Sequence, residues 1–130
     1  MFDKNKVEIK SDMIHGFQRI IFSGSLLYGE TERIREQVFS LLLDCDGYII
    51  DLQNVDFIDS TGFGILVSIA RKLKNSQNRM VVIINNKSIL QLFNITKLTL
   101  IFPVVQTKEE AVTFLLEDMH DSPKLSIDDY

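Results

Sequence analysis

Gly47-Tyr48-Ile49-Ile50-Asp51-Leu52-Gln53-Asn54-Val55-Asp56-Phe57-Ile58-Asp59-Ser60-Thr61-Gly62-Phe63-Gly64 is the stretch on which the reading of the whole chain turns. Tyr48 to Leu52 is apolar without alternation up to Asp51, the pattern of a strand covered on both faces. Gln53 to Ile58 reads as a short loop. From Thr61 the apolar residues change to helical spacing: Leu66, Ile69 and Leu73 form a stripe, widened by Ile65 and Ala70. A strand that runs through a loop into a helix places its polar junction at the carboxyl edge of a sheet, where α/β proteins bind ligands and partners. Here that junction carries Asp56, Asp59, Ser60 and Thr61.

Working outward, Val7 to Ile14 alternates in part and predicts a strand with one wet face. His15-Gly16 is the predicted hairpin turn into a second strand, Phe17 to Phe22. Ser23-Gly24-Ser25 should end that strand, and Leu26 to Glu30 should be a loop. Thr31 to Leu43 is helical by spacing, with Ile34, Val38, Leu41 and Leu42 on one face and Thr31 as N-cap. Asp44-Cys45-Asp46-Gly47 ends it.

Beyond the second helix, Thr61 to Lys74, Asn75 to Asn78 is a polar turn and Met80 to Ile84 a buried strand. Asn85 to Ser88 leads into a short helix carrying Ile89, Leu92 and Phe93. Leu98 to Val105 holds a last extended segment. Thr107-Lys108-Glu109-Glu110 has the capping-box pattern, opening a helix that buries Ala111, Phe114, Leu115 and Met119. The predicted order is strand, strand, helix, strand, helix, strand, helix, strand, helix. That is an α/β domain: a mixed sheet opened by an antiparallel hairpin, with about four helices packed on it. The expected organisation is one domain over residues 1–120 and a flexible acidic tail over 121–130.

Bulk properties narrow the function. The chain has 130 residues, is 45% hydrophobic and 25% charged, and carries a net charge of −4. An acidic chain lacks the basic face that nucleic acid or an anionic membrane requires. The single cysteine, Cys45, builds neither a disulfide framework nor a metal cluster. No signal peptide is read at the N-terminus, and no apolar run approaches the roughly 20 residues of a membrane helix. The expected compartment is the cytoplasm, and no cofactor is expected. There is no glycine-rich phosphate loop, so ATP is expected on a partner. The only histidines are His15 and His120, and Ile58 stands where a nucleophile elbow needs glycine; a hydrolase is not expected.

The run Asp51 to Leu66, with Asp59-Ser60-Thr61-Gly62 at its centre, resembles the signature of STAS domains, and especially of the small stand-alone anti-sigma factor antagonists. The resemblance extends from about Val7 to about Met119. It includes Ile89-Leu90-Gln91-Leu92-Phe93-Asn94-Ile95-Thr96-Lys97-Leu98 and Thr107-Lys108-Glu109-Glu110-Ala111. It implies a non-enzymatic bacterial partner switch. The unphosphorylated protein binds an anti-sigma factor that is also a serine kinase and frees a sigma factor; phosphorylation of the serine after the aspartate, here Ser60, releases it; a serine phosphatase resets the system. The implied partner-binding residues are Asp56, Asp59, Ser60, Thr61, Gly62, Phe63, Ser25 and Leu27. Two positions depart from the family pattern. Gly24-Ser25-Leu26-Leu27 has Leu27 where an acid is common, in a loop that in the family helps contact the kinase. Thr96-Lys97-Leu98 has lysine where glycine is frequent, and lysine in a left-handed cap costs roughly 1 kcal/mol.

The residues support such a switch on their own terms. A helix start carries about half a positive charge and several unpaired N–H groups. Phosphate on Ser60 adds about −1.5 to −2 charge beside Asp59, and a partner fitted to a neutral hydroxyl loses its match. Gly62 and Gly64 leave the helix backbone open to close docking. Against this, Ser60 is also a suitable N-cap for a helix starting at Thr61. Phe63 suits an interface anchor or the core. Two alternative functions stand beside the first: a STAS scaffold or sensory module without phosphorylation, and a receiver-like phosphoacceptor at Asp51.

Overall fold

A computed structural model describes residues 7–27, 29, 31–74 and 79–118. The predicted tail and Met119 lie outside the described residues. The hairpin forms where the sequence places it. Strand β1 (Glu8–Ile14) pairs antiparallel with β2 (Phe17–Leu26), Ile14 opposite Phe17. The two residues between them, His15 (φ 52°) and Gly16 (φ 84°), both have the positive φ that a tight type I′ hairpin requires.

The chain then runs through α1 (Thr31–Leu41), β3 (Gly47–Ile58), α2 (Ser60–Lys74), β4 (Arg79–Ile83), α3 (Lys87–Ile95), a 3₁₀ turn at Leu98–Leu100, β5 (Val104–Val105) and α4 (Lys108–Asp118). The sheet order is β1-β2-β3-β4-β5. Only the β1–β2 pair is antiparallel; β2, β3, β4 and β5 run parallel. This is the expected mixed sheet with four helices.

β3 is covered on both faces, as its lack of alternation predicts. Tyr48, Ile50 and Leu52 join Ile20, Phe22, Val82 and Ile84 in one core with α1, α2 and α3. Ile49 joins Phe17, Val81 and Ile83 in a smaller core under Ala111, Val112 and Leu115 of α4. The period of two thus assigns successive residues to different helices.

Several boundaries differ from the sequence reading. Ser23-Gly24-Ser25 does not end β2. The strand continues to Leu26 through two register shifts, with Gly24 at φ 106°. Its continuation pairs with Asn54 to Ile58, so the expected loop at Gln53–Ile58 is strand as well. Burial of Val55 and Ile58 drives that extension. α1 ends at Leu41 instead of Leu43 because the buried Gln18 amide takes over its C-terminus: Nε2 donates to the Leu41 carbonyl and Oε1 accepts from Leu43 N–H, both at 2.8 Å. Thr31 is the first residue of α1 and not its cap. On α3, Ile89 and Phe93 are buried but Leu92 is exposed. Asn86 caps that helix, accepting from the Ser88 and Ile89 amides. The last extended segment shrinks to Val104–Val105, preceded by the 3₁₀ turn. Lys97 is left-handed (φ 62°), the conformation foreseen for a glycine-like cap. No helix among the described residues is long and apolar enough to cross a membrane.

Candidate functional site

β2 and β3 end side by side, Leu26 opposite Ile58, and α2 starts two residues later. Three contacts fix that start. The Asp59 amide donates to the Leu26 carbonyl at 3.2 Å. Asp59 Oδ1 accepts from the Thr61 and Gly62 amides at 3.0 and 3.2 Å and from the Thr61 hydroxyl at 2.5 Å. Gly62 packs so tightly that a Cβ there would lie 2.7 Å from both the Leu26 carbonyl oxygen and Ile58 Cγ1.

This arrangement corrects the capping assignment. Asp59 is the N-cap and Ser60 is the first helical residue. Two adjacent residues were competent to cap; the tie to Leu26 positions the aspartate. The Ser60 side chain is exposed, and its hydroxyl has no hydrogen bond within the domain among the described residues.

The other sequence-selected residues divide into two groups. Asp56 is exposed, while Thr61, Phe63 and Leu27 are partly exposed. Ser25 (4% exposed) and Gly62 are buried, so neither presents a surface. Ser25 lies inside the extended β2, and Gly62 serves packing; the open helix position is Gly64, which has nothing within 4 Å of an added Cβ. Phe63 turns toward the core, edge-on to Phe93 with centroids 5.3 Å apart. Among the described residues the exposed aromatic is Phe57, 68% accessible, on β3 opposite Ser25. The loop expected over residues 53–58 gives no signal for it. The register shift between Val55 and Phe57 interrupts the alternation, so that Asp56 and Phe57 both face out while Val55 and Ile58 go in.

Asp51 is 3% exposed. Its carboxylate accepts from Gln53 N–H at 2.9 Å, from Gln53 Nε2 at 3.2 Å and from Arg19 Nη1 at 3.4 Å. Arg19 also binds Asp12, donating from Nε at 3.0 Å and from Nη2 at 2.5 Å. The hydrogen bonds from Arg19 hold the Asp12 carboxyl below the ordinary aspartate range, and Asp12 in turn raises the Arg19 guanidinium. Among the described residues no group of histidine, cysteine and carboxylate side chains is placed to hold a metal ion.

The family model for the STAS domain matches residues 9–111, and the chain belongs to that family. Among similar proteins, an anti-sigma F factor antagonist from Paenibacillus polymyxa is 22% identical over 111 residues, covering 84% of this chain and 95% of that protein. An anti-sigma factor antagonist from Mycobacterium paratuberculosis has the same fold, with a TM-score of 0.76 at 19% identity over 89% of this chain and 99% of that one. The anti-sigma factor antagonist SpoIIAA matches in its unphosphorylated form with a TM-score of 0.68 at 20% identity, over 85% of this chain and 97% of that one. It also matches in a phosphorylated form, from Bacillus, with a TM-score of 0.60 at 21% identity, over 83% and 99%.

Proposed function

We propose that this protein is a cytoplasmic, non-enzymatic anti-sigma factor antagonist that works by partner switching, with Ser60 as the phosphoacceptor. In its unmodified form it binds an anti-sigma factor that is also a serine kinase and so frees a sigma factor. Phosphorylation of Ser60 ends the complex, and a serine phosphatase restores it. The observation that carries this reading is the exposed Ser60 hydroxyl, left over from capping at the first turn of α2. Membership in the STAS family and the names of its relatives supply the partner class.

The proposed docking surface is Asp56, Phe57, Ser60, Thr61 and Gly64, with Leu27 at its margin. Asp59 already occupies the Thr61 and Gly62 amides. A phosphate on Ser60 therefore adds a dianion beside an existing carboxylate and stays directed outward. An interface that closes over it has to bury unmatched charge, at a cost of several kcal/mol. Since each 1.4 kcal/mol is tenfold, that amounts to roughly a hundredfold to a thousandfold in affinity.

The test is phosphorylation by the cognate kinase with ATP, the site mapped by mass spectrometry and binding measured by calorimetry. Phosphate is expected on Ser60 alone, Ser60→Ala should take none, and Ser60→Asp should bind at least a hundredfold more weakly. Full phosphorylation of Ser60→Ala would refute the site. Tight binding by the phosphorylated protein would refute the mechanism.

A further inference from the structure

The two edges of the sheet are unlike. β5 has two residues, while β1 presents seven in continuous register with no bulge and no proline. Natural sheets rarely leave a long, regular edge unpaired. In a two-residue hairpin the residues flanking the turn form a hydrogen-bonded pair, here Ile14 and Phe17. Alternation from there turns the backbone N–H and C=O of Ile9, Ser11 and Met13 away from β2. The Val7 carbonyl, on the same outward set, is taken by Arg33 Nη2 at 3.1 Å, which closes the ladder at that end; the other three have no backbone partner among the described residues.

The side chains along this edge are self-complementary about Ser11. When a second β1 is laid antiparallel with Ser11 opposite Ser11, Ile9 faces Met13 and Lys10 faces Asp12, twice each, the Asp12 carboxylate then lying between Arg19 of its own β2 and Lys10 of the second copy. Directly opposed residues share a face, and unlike charges so placed attract. Met13 is 49% exposed. On the helix side of the edge, Val7, Glu8, Ile9, Lys10, Arg33 and Gln37 line an open cleft of about 380 Å³, next to where the partner's Met13 would project. We propose that β1 is a homodimer interface, two copies joining edge to edge into one ten-stranded sheet about a two-fold axis at Ser11. The pairing leaves both Ser60 hydroxyls uncovered and sends them to opposite ends of the joined sheet.

Sedimentation velocity on the full chain over a concentration series gives the first test: a reversible dimer is expected. Lys10→Glu places acid opposite acid, and Asp12→Lys places base opposite base. Each variant alone should dissociate at least tenfold more readily than the parent. Mixed one to one, they should form a heterodimer tighter than either variant's homodimer, because both pairs opposed across the interface are again unlike, although Asp12→Lys also gives up the ion pair with Arg19 of its own chain. A second route does not depend on those charges. With Cys45→Ser as background, Ser11→Cys brings two thiols to strands about 5.5 Å apart, whereas Glu8→Cys leaves them about 20 Å apart, six residues at roughly 3.3 Å each. A short bismaleimide should trap dimer at position 11 and not at 8. A monomer at all concentrations, a dimer indifferent to Lys10→Glu, a mixture no tighter than its components, or equal trapping at 8 and 11 would each overturn the proposal.

Discussion

Replacing Asp59 and Ser60 one at a time separates the residue that builds the helix start from the residue left exposed on it. Asp59→Ala removes an oxygen that accepts from the Thr61 and Gly62 amides and the Thr61 hydroxyl. Loss of an N-cap costs about 1–2 kcal/mol. For a domain of this size about 1 kcal/mol moves the melting temperature by roughly 4 °C, so a fall of about 4–8 °C is expected. Ser60→Ala removes a hydroxyl that has no hydrogen bond among the described residues, and should stay within about 0.5 kcal/mol, or roughly 2 °C. Asp59→Asn keeps an acceptor and should recover most of the loss. Thermal melts followed at 222 nm, with urea titrations for free energies, measure all three. If Ser60→Ala melts as low as Asp59→Ala, the serine is the cap and the assignment fails.

Three further outcomes follow from the same geometry. Gly62→Ala sets a Cβ 2.7 Å from the Leu26 carbonyl and should lose at least about 2 kcal/mol, while Gly64→Ala, in open space, should gain roughly 0.5–1 kcal/mol from helix propensity; chemical denaturation of the pair reads both signs. Phe57→Ala should weaken binding to the anti-sigma partner at least tenfold with an unchanged melting temperature, as truncation of an exposed aromatic anchor does, and calorimetry checks it. Burial foremost, then its hydrogen bond with Cys45, pushes the Tyr48 phenol up to about 12; because the folded value lies above the unfolded one near 10, stability is intact below pH 10 and falls between about pH 10 and 12. Tyr48→Phe should flatten that decline in urea titrations at pH 8 to 11.5.

The elements legible in the sequence are those fixed by local chemistry. His15-Gly16 satisfies a hairpin turn with two positive φ angles, and the stripe Leu66, Ile69, Leu73 defines α2 without reference to anything else. Lys97 adopts the left-handed conformation inferred for it. What escaped depends on neighbours distant in the chain. Ser23-Gly24-Ser25 looks like a strand breaker until β3 lies alongside and absorbs the irregularity as two register shifts. Asp59 and Ser60 are equally good caps by type, and only the bond from Asp59 N–H to Leu26 decides between them. Phe57 and Phe63 are each compatible with surface or core. The register shift after Val55 exposes the first, and Phe93 claims the second.

The division of labour over Asp59, Ser60, Thr61 and Gly62 has a practical consequence. Three of the four have tasks inside the domain, so position 60 is open to chemical substitution without disturbing the scaffold. Ser60→Cys in a Cys45→Ser background supplies one reactive thiol at the proposed docking surface. An environment-sensitive dye attached there would report arrival and departure of a binding protein in real time.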